Sequence, residues 1–82
     1  MIDAERERRI EALLQRPYRK VIRGDAQEGF LAEAPELPGC VTAGATEVEA
    51  LWNLREAMAA WFESAILDGA PIPDPEYAAP TP

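Results

Sequence analysis

Gly29-Phe30-Leu31-Ala32-Glu33-Ala34-Pro35-Glu36-Leu37-Pro38-Gly39-Cys40-Val41-Thr42-Ala43-Gly44 is the stretch that decides the fold, and two residues later Thr46 opens a long amphipathic run. Phe30 to Ala34 alternates as a strand does, with Phe30, Ala32 and Ala34 on one face and Leu31 and Glu33 on the other. Pro35 ends the pairing, because it has no N–H and restricts the residue before it. Pro38-Gly39 suits a tight turn with Gly39 at positive φ. Cys40 to Ala43 then reads as a short further strand.

Upstream, Tyr18 to Arg23 mixes β-branched and aromatic residues with Arg and Lys and reads as the first strand. Gly24-Asp25 and Glu28-Gly29 bracket a hairpin connection of five or six residues. Before it, Asp3 to Gln15 reads as a helix: Ile10, Leu13 and Leu14 recur at helical spacing, acids occupy the first turn, and Pro17 bars extension.

Downstream, Thr46 to Asp68 is the long helix. Thr46 and Glu49 make a capping box, and Leu51, Leu54, Met58, Trp61, Phe62, Ala65 and Ile66 form one stripe at 100° per residue. Gly69 is placed for a left-handed cap. Five prolines follow within thirteen residues (Pro71, Pro73, Pro75, Pro80, Pro82), so an extended tail is expected, with one edge contact at Ile72.

The expected architecture is therefore α+β in two layers. An N-terminal helix precedes a three-stranded antiparallel sheet packed by one long helix, with Ile72 in a short fourth edge strand. Three segments follow from this: residues 1–16 as a helical extension, 17–73 as the domain, and 74–82 as a proline-rich tail.

Eighty-two residues bury only a small core, so further surface buried by oligomerisation is expected, as a dimer or tetramer. No apolar run reaches membrane-spanning length, the N-terminus is charged rather than signal-like, and the lone Cys40 fits a reducing cytoplasm. Charge is divided unevenly. Seven of the eight basic residues precede Gly24, which gives the first 23 positions a net +3; the rest carries −10. An acidic body repels nucleic acid and attracts basic proteins.

Catalytic chemistry is sparse. Without histidine there is no imidazole acid–base scheme, and one cysteine cannot build a Cys/His zinc site. No phosphate-binding glycine loop occurs, and no cofactor is implied. Cys40 reads as a small buried apolar residue, and Glu33 and Glu36 nearby would raise its pKa. Two readings stay open beside a binding role. One is a magnesium-dependent nuclease using Asp25, Glu28 and Glu33; the other is a nucleic-acid module using the basic N-terminal helix with Arg19, Lys20 and Arg23.

The ordered set of strand pair, Pro35-Glu36-Leu37-Pro38-Gly39-Cys40, Thr46 helix start and Ile72-Pro73 ending resembles the HicB family of antitoxins across Tyr18 to Pro73. The resemblance implies a β-β-β-α core likened to a truncated ribonuclease H fold without nuclease activity. It also implies a role in neutralising HicA-type toxins, small basic ribonucleases, by covering the active site. Many relatives carry an appended DNA-binding domain where this sequence has its proline-rich stretch, so operator binding by this chain alone is not expected. On that reading Glu33, Glu36, Glu56 and Glu63 supply charge complementarity. Trp52 and Leu67 lie about 100° and 160° off the centre of the apolar stripe by helical-wheel arithmetic. They join Leu31 as the expected partner or oligomer contacts.

Overall fold

Pro35, Pro38 and Gly39 bend the chain twice between two strands, and the computed structural model, which describes residues 3–75, shows the geometry. Leu37 N–H donates to Ala34 C=O and Cys40 N–H to Leu37 C=O, each at 3.0 Å, so each of two successive turns has proline at its second position. Gly39, third in the second turn, takes φ 79°, the left-handed backbone that this position requires after proline. Leu37, held between the turns, is fully buried. Trp61 Nε1 clamps the segment by donating to Pro38 C=O at 2.9 Å.

The elements are α1 (Asp3–Leu14), β1 (Val21–Asp25), β2 (Gly29–Glu33), β3 (Val41–Gly44) and α2 (Glu47–Asp68). The strands form one antiparallel sheet in the order β1-β2-β3. Helix α2 covers one sheet face, and α1 lies antiparallel to α2, with Arg6 near Glu63 and Glu11 near Arg55. This is the α+β, two-layer arrangement expected from the sequence.

Several boundaries differ from expectation. β1 starts at Val21 rather than Tyr18, since its first partner is Glu33 and Pro35 leaves nothing beyond to pair with. It continues through Gly24 and Asp25, so the hairpin loop is only Ala26 to Glu28. The Asp25 carboxylate closes that loop by accepting from Gln27 N–H at 2.9 Å and Glu28 N–H at 2.8 Å. No fourth strand forms at Ile72 among the described residues; Ile72 packs partly buried against the core instead. Tyr18 Oη donates to Pro73 C=O at 2.6 Å, and Arg16 pairs with Asp74 at 2.7 Å. The expected tail beyond Pro75, with Pro80 and Pro82, lies outside the described residues.

Helix α2 is capped at both ends. Thr46 Oγ1 accepts from Glu49 N–H at 3.0 Å, while the Glu49 carboxylate accepts from Ala45 N–H at 2.8 Å, one residue earlier than a capping box places it. At the other end Gly69 has φ 67° and donates to Ile66 C=O, and Ala70 N–H donates to Ala65 C=O at 2.9 Å. The buried stripe is Ala50, Leu54, Met58, Phe62 and Ala65. Leu51, expected within it, is 39 % exposed. The stripe turns toward Ala50 because Gly44 of β3 lets the helix backbone come close: a Cβ at Gly44 would lie 2.5 Å from Ala50 N. Phe62 anchors the core against Tyr18 (ring centroids 5.4 Å) and Trp61 (6.0 Å, edge-on). Full burial of such a side chain contributes about 1.5–3 kcal/mol.

Candidate partner-binding surface

An amphipathic helix on a sheet leaves an outer face, and here that face carries exposed apolar side chains. Val48 and Trp52, one turn apart on α2, are 78 % and 63 % exposed. Glu56, the next residue along this row, is exposed as well. Of the two tryptophans, Trp61 is tethered to Pro38 and Trp52 stands on the surface. Glu63 shares this side, but Arg6 Nε reaches it at 3.7 Å. Leu67 is exposed too, fifteen positions from Trp52, which is about 22 Å along a helix.

Leu31 and Glu33 lie elsewhere, on the sheet face that α2 leaves open. Leu31 and Val41 are each 53 % exposed there. With Val21, Arg23 and Glu33 they line a shallow depression of about 230 Å³. Arg23 pairs with Glu33 at 3.4 Å across its rim. Six of the seven expected contact residues therefore fall on two separate surfaces.

Glu36 belongs to neither surface. It is 6 % exposed, and its two carboxylate oxygens accept from Arg19 N–H at 3.1 and 3.2 Å. Its charge ties the approach to β1 onto the turn after β2, so it does not offer complementarity to a surface partner. Val48 and Val41 are exposed apolar residues that the sequence reading left out. Val48 lies four residues before Trp52 on the same helical row, which spacing alone shows, whereas the place of Val41 opposite Glu33 comes from the strand register.

The remaining chemical groups are engaged structurally. Asp25 closes the hairpin, Glu33 faces Arg23, and among the described residues no three Asp, Glu or Cys side chains come together as a metal site. Cys40 is buried, and burial, rather than the carboxylates nearby, pushes its thiol pKa up. Burial likewise raises the Tyr18 hydroxyl, and the hydrogen bond to Asp74 raises the Arg16 guanidinium. Arg6, Arg16 and Arg23, three of the seven basic residues before Gly24, are in ion pairs. Among the described residues no helix is long and apolar enough to cross a membrane.

Comparison with known proteins adds a family assignment. The family model of the HicB-like antitoxin of bacterial toxin-antitoxin systems matches residues 18–80. A UPF0150 protein from Thermoplasma acidophilum is 43 % identical over 47 residues, which cover 57 % of this chain and 68 % of that protein. No solved structure gives a significant match.

Proposed function

The chain belongs to the HicB-like antitoxin family of bacterial toxin-antitoxin systems, and from that premise we propose that it neutralises a small basic ribonuclease of the HicA kind. It does so without catalysis, by docking over the toxin's active site. The observation that carries this reading is Trp52, a large aromatic side chain 63 % exposed on the outer face of α2 beside Val48. Glu49 and Glu56 flank the pair on a chain of net charge −7. An aromatic anchor inside a charged rim is the usual anatomy of a binding hot spot. The acidic body steers a basic toxin toward that anchor and keeps RNA away.

On this reading residues 17–73 form the HicB-like domain, in keeping with a truncated ribonuclease H-like core. Residues 1–16 are a helical extension and 74–82 a tail. The protein acts in the cytoplasm as a homo-oligomer. The test is inhibition of RNA cleavage by the cognate toxin, titrated with this chain and with Trp52→Ala. The wild type inhibits stoichiometrically; Trp52→Ala requires at least tenfold more protein, the range for loss of a hot-spot aromatic. Equal inhibition by the variant would remove the α2 face from the proposal.

A further inference from the structure

We infer that β1 is the self-association edge, and that two copies pair antiparallel through it about Ile22 to make one six-stranded sheet. The sheet has two edges of different character. At the β3 edge, Asn53 Nδ2 donates to Ala43 C=O at 2.8 Å, so that edge is partly closed by α2. At the β1 edge, among the described residues, no hydrogen bond covers the backbone groups that point outward.

Which groups these are follows from alternation. Ala34 N–H donates to Cys40 C=O, so even-numbered residues of β2 face β3 and Gly29, Leu31 and Glu33 face β1. Their partners Asp25, Arg23 and Val21 face inward, and Arg19 N–H points the same way, onto Glu36. Lys20, Ile22 and Gly24 are left with outward N–H and C=O groups, an unpaired row of the kind that templates strand addition.

Charge then selects both the occupant and the register. Outward groups must meet outward groups, so Ile22 pairs with Lys20, Ile22 or Gly24 of a second copy. The first choice puts Arg23 opposite Arg19, and the last puts Arg23 opposite Arg23. Only the Ile22–Ile22 register avoids like charges. It also sets Asp25 of each copy opposite Arg19 of the other, two ion pairs per dimer, with all four residues exposed. Arg23 then faces Val21 of the second copy, and the two open sheet faces, with Leu31 and Val41, become continuous.

The inference deepens the proposed homo-oligomer and is independent of toxin binding. In a Cys40→Ala background, Val21→Cys and Arg23→Cys chains are mixed and oxidised. In the inferred register these positions are a directly opposed pair about 4.5 Å apart at Cα, within disulfide reach, whereas each with itself is diagonal at about 7–8 Å. Cross-linked heterodimers in the mixture, and little in either variant alone, are expected. By sedimentation equilibrium of the full chain, Arg19→Glu and Asp25→Asn (which keeps the hairpin acceptor) each weaken dimerisation about 2- to 30-fold, as loss of two exposed ion pairs implies. Absence of the mixed cross-link, or a dimer indifferent to both charge variants, overturns the inference. A monomer that still inhibits the toxin overturns it while leaving the proposed function standing. It is overturned equally if Arg19→Glu weakens toxin binding instead, or if pairing appears only when residues 76–82 are removed.

Discussion

Replacing Gly44 with alanine tests how closely α2 sits on the sheet. Gly44 does not have a positive φ, so its backbone does not require glycine. The constraint is space: an added Cβ would lie 2.5 Å from Ala50 N, 2.8 Å from Ala50 Cα and 2.9 Å from Glu49 C, all backbone atoms of the first helical turn. Ordinary carbon contacts are about 3.5–4.0 Å, so the helix start must retreat by about 1 Å. Overpacking of this kind costs about 1–3 kcal/mol. We place Gly44→Ala near the upper end, because the retreat also loosens the fully buried Leu54 and Met58. For a domain of this size 1 kcal/mol corresponds to about 4–8 °C, so the thermal midpoint by far-UV circular dichroism falls by about 12–24 °C at fixed protein concentration. Adding Ala50→Gly gives no rescue, since the clash is with backbone. Gly39→Ala is the control: it meets nothing within 4 Å and bears only the left-handed backbone cost of about 1–2 kcal/mol. A Gly44→Ala midpoint within about 3 °C of the parent would refute the close approach.

Further outcomes follow from the buried polar contacts. Glu36→Ala leaves Arg19 N–H without its carboxylate and lowers urea-derived stability by about 1–3 kcal/mol, with Glu36→Gln recovering part of the loss. Tyr18→Phe keeps the ring against Phe62 but loses the bond to Pro73, which costs about 0.5–1.5 kcal/mol. Burial holds the Cys40 thiol and the Tyr18 hydroxyl above their ordinary values of 9.0 and 10.0. Their neutral forms are favoured in the folded state, so the stability they contribute is complete below the unfolded pKa values and lost as pH rises through the folded ones. Urea midpoints should therefore be insensitive to these groups at neutral pH and fall above about pH 9, with Cys40→Ala delaying the onset.

Much of the fold was legible because punctuation in this sequence is local. Pro35, Pro38 and Gly39 specify two turns, and Thr46, Glu49 and Gly69 specify both ends of α2. The start of β1 was misplaced because Tyr18 to Lys20 has strand-like composition, while pairing depends on a partner strand that Pro35 cuts short. Glu36 looked like a surface acid; its true contact is the backbone of Arg19, seventeen residues earlier, which no local pattern reveals. Leu51, expected in the buried stripe, is exposed and Ala50 is buried because the glycine at position 44 sets the helix rotation, a tertiary effect. The exposed pair of Val48 and Trp52 was half legible: periodicity placed Trp52 off the stripe, but the exposure of Val48 required the packed helix.

The central claim, an antitoxin that masks a basic ribonuclease with the outer face of α2, is tested most directly by calorimetric titration of the cognate toxin with this chain and with Trp52→Ala. Both proteins should have the same circular dichroism spectrum, because Trp52 lies outside the buried core. Tight binding that weakens with added salt is expected, with a loss of at least tenfold in affinity for Trp52→Ala. Unchanged affinity in the variant, or no binding by the parent chain, would contradict it.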